Sequence, residues 1–167
     1  SVNWDVDAPA FTTTLRGLAD CVVEVRTLDH ALHSGQFGGV VPDALTSLCR
    51  LLATLHDDAG NVAIEGLFSA PGPDLDYPLD RLTAESGLVD GVSWLGDGST
   101  VTRMWTRPSV SVLAIDATPV ASASNTLAPV ARAKVSLRVA PGDDAHSAED
   151  ALVRHLETHA PWGAKVT

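Results

Sequence analysis

The feature of the sequence that most limits the fold is a strict alternation of residue types at positions 131–139, which read ARAKVSLRV. Arg132, Lys134, Ser136 and Arg138 occupy alternate positions, and the positions between them are apolar. Because successive side chains of a β-strand point to opposite faces, this pattern predicts a strand with one apolar face and one cationic face. A sheet built on such a strand packs on one side and leaves its cationic side free for a partner.

Four other segments have the patterns of strands. Residues 19–27 alternate between apolar side chains and charged ones, and residues 109–116 form a second ordered apolar run. Residues 62–67 fit a short strand, and a last short strand is predicted at residues 164–167.

Two helices are predicted from apolar residues at helical spacing. The first starts at Pro42 and Asp43, because proline and an acid are typical of a first helical turn. The second follows Pro141 and Gly142, with Ser147 and Asp150 spaced as a capping box. The residues expected to face the core are Leu45, Leu48, Cys49, Leu52 and Leu55 in the first helix and Ala148, Ala151, Leu152 and Leu156 in the second.

The order of these elements predicts the fold class. Residues 69–107 are broken by prolines and glycines, so we expect an irregular insertion with one short helix around Leu79 to Glu85. The remaining elements contain a split β-α-β unit, which predicts an α+β two-layer sandwich of the ferredoxin-like kind. It would have an antiparallel four-stranded sheet with two helices on one face. Residues 1–167 are expected to form a single domain.

Composition excludes several classes of partner. The net charge of -10 repels phosphate groups, so neither nucleic acid nor an anionic membrane is expected as a partner. No apolar run has the length of a membrane span. Cys21 and Cys49 lie in apolar stretches without metal-binding spacing, and we interpret both as small buried residues in a reducing cytoplasm.

The histidines offer one metal hypothesis. His155 and His159 are one helical turn apart, which is a spacing that two zinc ligands require. With an acid from the loop at residues 74–80 they could form a self-contained zinc hydrolase. The HExxH arrangement is absent, however, and a solvated helix face is the simpler interpretation.

A glycine-rich turn and one arginine are further candidates for a site. His33 lies in a turn with Gly35, Gly38 and Gly39, whose lack of a side chain permits close backbone approach or positive φ. Arg138 lies within a strand, and its planar fork suits a carboxylate. From spacing alone, a surface arginine paired with Glu24 or Asp20 of a neighbouring strand is the favoured interpretation.

Four motifs resemble a known family. They are LRG at residues 15–17 with LHSGQFGG at 32–39, NTLAP at 125–129, and LRVAP at 137–141. In these motifs the chain resembles the lid and dimerisation domain of two-zinc metallopeptidases, a family that includes carnosinase-type dipeptidases, acetylornithine deacetylases and succinyl-diaminopimelate desuccinylases. The resemblance covers residues 11–60 and 108–160 and is weak over the insertion.

The resemblance implies a role for each matching residue. His33 would reach into the partner subunit's active site and stabilise the oxyanion, and Arg138 would hold the substrate carboxylate with help from Thr126 and Asn125. The turn residues at the dimer interface would be Ser34, Gly35, Gly38 and Gly39. The two zinc ions would be bound by a catalytic domain that is absent from this chain, so this chain would bind none itself and the isolated chain would be inactive. Implied partners are a second copy, the catalytic domain, and a small peptide or N-acyl amino acid.

An alternative from a different class is a stand-alone regulatory module. A ferredoxin-like sheet with helices on one face is a common scaffold for binding amino acids at a dimer interface. In that case His33 would have no catalytic role.

Overall fold

A computed structural model describes Trp4 and residues 7–167, and its centre is an antiparallel sheet of four strands. In chain order the strands are β1 (Gly17–Arg26), β2 (Leu32–His33), β3 (Ser109–Asp116), β4 (Thr126–Leu127), β5 (Val130–Val139) and β6 (Lys165–Val166). The four-stranded sheet has the order β3-β5-β1-β6, and β2 pairs with β4 in a separate ribbon. The antiparallel four-stranded sheet predicted from the sequence is confirmed.

Strand β5 has neighbours on both sides. It pairs with β1 from Gly17 opposite Val139 to Arg26 opposite Val130. It pairs with β3 from Ser109 opposite Arg138, with an irregularity in the register at Leu113. The alternation at residues 131–139 therefore belongs to an interior strand, whose two faces meet different environments.

Two helices cover one face of the sheet. In chain order, the described residues form the helices α1 (Ser34–Phe37), α2 (Ala44–Ala53), α3 (Leu79–Ser86) and α4 (Ala145–Thr158). They also form a π-helical turn at Thr102–Thr106 and 3-10 turns at Val120–Ser122 and Pro161–Gly163. Helices α2 and α4 both pack against β1 and β5. The core between them includes Val23, Val25, Leu48, Leu51, Val135, Leu137, Leu152 and Leu156. We call the uncovered side, which carries Arg132, Lys134 and Arg138, the outer face.

Two local predictions about the elements were wrong. Residues 62–67 form no strand: Val62 makes an isolated bridge with His56, and the segment is fixed instead by the buried Ile64. Helix α4 is capped by Asp144, whose carboxylate accepts a hydrogen bond from Ser147 N at 2.8 Å, and not by a Ser147 capping box. The helix begins at Ala145 because Asp144 already accepts from an N–H of the first turn.

The expectation that Cys49 is buried was also wrong. The buried stripe of α2 comprises Leu48, Leu51 and Leu52, and Leu55 follows on the same side. Cys49 is exposed beside that stripe, whereas Cys21 is half-buried. Spacing alone assigned both positions 48 and 49 to the core face, and packing selects the stripe that points at the sheet.

The insertion at residues 69–107 contains the predicted short helix, which is α3. Two aromatic residues of the insertion pack on Trp4, whose ring centroid lies 5.3 Å from that of Tyr77 and 5.8 Å from that of Trp105. Arg81 of α3 donates a hydrogen bond to the Trp4 carbonyl at 2.7 Å. Within the described residues, no helix has both the length and the apolarity that crossing a membrane requires.

The buried His155 of α4 makes the fold sensitive to pH. Its Nε2 lies 3.0 Å from the Thr54 hydroxyl, and its ring stacks on His159 with 4.0 Å between centroids. Burial, and then the charge of His159, lower the pKa of His155 below its ordinary value. As the pH falls through about 6.5, the unfolded chain binds the proton first, so the free energy of unfolding decreases.

We therefore expect urea unfolding at pH 7.5 and pH 5.5 to show a loss of stability that is smaller in His155→Gln than in the wild type. Glutamine preserves a partner for Thr54 and removes the titrating ring. An equal loss in the two proteins would contradict the assignment of this pH dependence to His155.

Candidate functional site

The β2–β4 ribbon brings together residues that are far apart in the sequence. His33 lies directly opposite Thr126 in the antiparallel register. Ser34 N donates a hydrogen bond of 2.9 Å to the carbonyl of Asn125. His33 and Thr126 are both exposed, and the next residue, Leu127, is buried beneath them. One short ribbon thus presents an imidazole and a hydroxyl side by side.

The turn after His33 favours glycine at three positions, each for a separate reason. A β-carbon at Gly35 would lie 2.8 Å from Cε1 of the His33 ring, and one at Gly38 would lie 2.4 Å from the carbonyl oxygen of Ser34. Gly39 has φ of 87°, in the left-handed region that favours glycine. The expectation of close approach and positive φ at this turn is confirmed, and the glycines leave room for the His33 ring.

Asp43 fastens this ribbon to the helical layer. One carboxylate oxygen accepts a hydrogen bond from Thr46 N at 2.8 Å and caps α2, whereas the sequence pattern placed Asp43 within the first helical turn. The other oxygen accepts from Ala128 N at 2.6 Å, and the Ala128 carbonyl accepts from Ala44 N at 3.0 Å. Sequence analysis missed the link to Ala128, because no local pattern joins positions so far apart.

Two open grooves meet at Trp162, another residue that sequence analysis missed. One, of about 630 Å³, is lined by the glycine turn, Asp43 and Leu127, and the other, of about 400 Å³, lies beside Arg26. Trp162 has φ of 54°, which is unusual for a bulky side chain. The Arg50 guanidinium lies 4.9 Å from its ring centroid. In the sequence, Trp162 stands out only as an aromatic residue before Gly163 near the end of the chain.

Arg138 lies on the outer face of β5 without the partner expected from spacing. Glu24 binds Arg132, with 2.6 Å between the charged atoms, and Asp20 binds Lys134 at 3.2 Å. Among the described residues no carboxylate pairs with Arg138, which is exposed. The interpretation of Arg138 as a surface arginine paired with Glu24 or Asp20 was therefore wrong.

A second arginine lies beside Arg138, and sequence analysis missed it. Arg16 donates a hydrogen bond from Nη1 to the Ser109 hydroxyl at 3.0 Å, and Ser109 is directly opposite Arg138 in the sheet. Burial, and then the nearby charge of Arg138, lower the pKa of the Arg16 guanidinium. The only sequence signal was the LRG motif at residues 15–17.

The structure does not bring Arg138 together with His33, Asn125 and Thr126. The ribbon joins the sheet where β5 begins, and Arg138 is eight residues further along that strand. At about 3.3 Å per residue, these two ends of β5 are about 26 Å apart. The predicted substrate-binding residues therefore form two separate groups within one chain.

The histidines proposed as zinc ligands are engaged otherwise. His155 contacts Thr54, and Nδ1 of His159 lies 2.8 Å from the His155 carbonyl oxygen. Within Trp4 and residues 7–167, no three His, Cys, Asp or Glu side chains are grouped to hold a metal ion. The described residues therefore do not fit a zinc site.

Comparison with known proteins adds independent information. A family model described as "Peptidase dimerisation domain" matches residues 13–164. The cysteinylglycine-S-conjugate dipeptidase of Corynebacterium striatum is 36% identical over 98% of this chain and 37% of its own length. The Beta-Ala-His dipeptidase of Rattus norvegicus is 27% identical over 89% of this chain and 32% of its own length.

A solved structure shares the fold. The crystal structure of human carnosine dipeptidase 1 superposes with a TM-score of 0.72 and 24% identity, over 92% of this chain and 36% of that one. This chain thus spans about a third of the length of the relatives it matches.

The double role of Asp43 gives a testable difference between the two helix caps. Asp43→Ala removes the cap of α2 and also the partner of Ala128 N, so we expect a loss of about 2 kcal/mol in the free energy of unfolding. Asp144→Ala, the matched control, removes a cap alone and should cost less. Urea unfolding at neutral pH measures both, and equal losses would argue against the link through Ala128.

Proposed function

The chain belongs to the Peptidase dimerisation domain family, and from this membership we propose that it is the lid and dimerisation domain of a zinc-dependent dipeptidase. The two curated relatives are both named as dipeptidases, and this chain spans about a third of each. Catalysis is therefore proposed for the whole protein, with the metal held by a separate catalytic domain. By itself this chain would have no activity.

The proposed substrate is a small peptide with a free carboxylate, and the names of the relatives suggest which peptides to test first. One relative acts on S-conjugates of cysteinylglycine and the other on β-alanyl-histidine, according to their names. The higher identity of the first makes S-substituted cysteinylglycine the first choice. N-acyl amino acids are the second substrate class, because they present the same carboxylate.

The observation that carries this proposal is the separation of the two groups of side chains along β5. An extended dipeptide spans about 7 Å, whereas the ends of β5 are about 26 Å apart. His33 and Arg138 of one copy cannot both contact one dipeptide. They can share a substrate only if the two groups come from different copies, which accounts for a catalytic lid that is also a dimerisation domain.

Each residue then has a defined role. His33 of the second copy donates a hydrogen bond to the scissile carbonyl oxygen and stabilises the negative charge that develops there. Thr126, opposite His33, and the adjacent Asn125 help to hold the substrate. Arg138 binds the terminal carboxylate through two parallel N–H donors. The turn of Ser34, Gly35, Gly38 and Gly39 lies at the dimer interface in this proposal, and Gly35 leaves room for the His33 ring.

Strand β3 supports the proposed association of two copies. It is an edge strand of the sheet and is bonded to β5 on one side. Three of its apolar side chains, Val112, Leu113 and Ile115, are 41%, 60% and 42% exposed. Long apolar edges of this kind favour pairing with another chain. A homodimer that covers this edge is the simplest arrangement.

The strand order β3-β5-β1-β6, with β5 between β1 and β3 and with β1 between β5 and β6, supports a ferredoxin-like layout. The two free cysteines are compatible with the cytoplasm as the proposed location. The stand-alone amino-acid-binding module is not favoured, because the curated relatives are dipeptidases about three times as long.

Mixed dimers test whether His33 and Arg138 act from different copies. In the full-length protein, His33→Ala should lower kcat about a hundredfold or more, and Arg138→Ala should lower kcat/KM about a hundredfold. A dimer of one chain of each variant contains one complete site. Co-expression of the two should therefore restore about a quarter of wild-type activity, since half of randomly formed dimers are mixed.

The matched control co-expresses His33→Ala with the double variant His33→Ala, Arg138→Ala, where no dimer contains a complete site. That mixture should stay inactive, and metal content should equal that of the wild type in every sample. If the first mixture also stays inactive although mixed dimers are present, His33 and Arg138 do not act from different copies, and the proposal is wrong.

The edge of β3 gives a separate test of association. Leu113→Lys places a charge on the exposed edge, so we expect the full-length protein to shift from dimer to monomer in size-exclusion chromatography with light scattering. Val89→Lys is the control, because Val89 is 69% exposed but belongs to the insertion. A Leu113→Lys protein that remains dimeric would exclude this edge from the interface.

A further inference from the structure

The cations of the outer face divide into two groups. Arg132 and Lys134, near the centre of β5, are paired with Glu24 and Asp20. Arg138, near the end of β5, and the adjacent Arg16 have no carboxylate partner among the described residues. Acids outnumber basic residues 21 to 11 in this chain, so two neighbouring arginines without an acid are an exception.

The sheet register places these arginines together. Arg138 lies between Leu18 of β1 and Ser109 of β3. Arg16 precedes Leu18 by two residues, so it extends from β1 on the same face. Its guanidinium reaches Ser109, which belongs to the strand on the far side of β5. The Arg16 side chain therefore crosses the end of β5 and lies next to Arg138.

This arrangement is unfavourable without an anion. Two positive charges repel each other, and Arg16 is also partly buried, which weakens its hydration. A guanidinium has five N–H donors, and the Ser109 hydroxyl accepts from one of them. The other donors of Arg16 have no acceptor within the described residues. A carboxylate between the two guanidiniums would offset the repulsion and accept from both.

We propose that Arg16 is a second substrate-binding residue, which grips the free C-terminal carboxylate of the dipeptide together with Arg138. Ser109 is a positioning residue, because its hydroxyl fixes the direction of the Arg16 guanidinium. This inference rests on the proposed function and makes it more specific. The enzyme requires a free carboxylate, and two arginines enforce that requirement.

The test uses the full-length protein and compares a dipeptide that has a free C-terminal carboxylate with the same dipeptide in its amide form. The probes are S-methyl-cysteinylglycine and the same dipeptide with a C-terminal amide, and the quantity measured is the ratio of their kcat/KM values. Arg16→Gln should lower this ratio about tenfold or more, mainly by raising KM for the acid. Arg138→Gln should lower it as well. Arg132→Gln is the matched control and should leave the ratio unchanged, because Arg132 is paired with Glu24.

The outcomes separate this inference from the proposed function. A ratio that falls for Arg138→Gln but not for Arg16→Gln overturns the role of Arg16 and leaves the proposed function intact. A ratio that neither variant changes overturns the carboxylate-binding role of both. If Arg16→Gln does not fold, Ser109→Ala decides: a several-fold rise in KM for the acid alone supports the proposal, and an unchanged KM overturns it.

Discussion

The pairing of β5 on both of its sides is the constraint on which the rest of the structure depends. Backbone hydrogen bonds to β1 and β3 fix its register, and α2 and α4 cover the apolar half of its side chains. Its other half therefore faces outward. The ribbon that holds His33 joins the strand at its start, and Arg138 lies near its end, so one strand sets the separation of the two groups that this chain contributes to the proposed sites.

The ion pairs of the outer face influence the site more than they influence stability. Exposed pairs such as Glu24 with Arg132 contribute little to the free energy of folding. Their hydrogen bonds nevertheless lower the pKa of Glu24, which keeps it charged and bound to Arg132 and Arg26. With Asp20 held by Lys134, both carboxylates of β1 are kept away from Arg138. Because both acids are paired with other cations, neither neutralises the positive charge of Arg138 at the end of the sheet.

Much of the fold could be predicted from the sequence, because its strands are defined by local patterns. Alternation located β5 and β1, and the apolar run at residues 109–116 corresponds to β3. The sequence could not show which acid lies beside which cation, because that depends on the register between strands. The Arg16–Ser109 hydrogen bond joins residues 93 positions apart, and the bond from Ala128 N to Asp43 spans 85. Such contacts follow from the assembled sheet and leave no periodic signal.

The interior position of β5 also restricts how the domain can change over evolution. Adding or deleting one residue between Val130 and Arg138 would turn the arginine toward the helices, since side chains alternate between faces. Without a bulge, the strand can change only by pairs of residues, and each pair moves Arg138 by about 6.6 Å along the strand. The distance within one chain between Arg138 and the ribbon that holds His33 is therefore set in discrete steps.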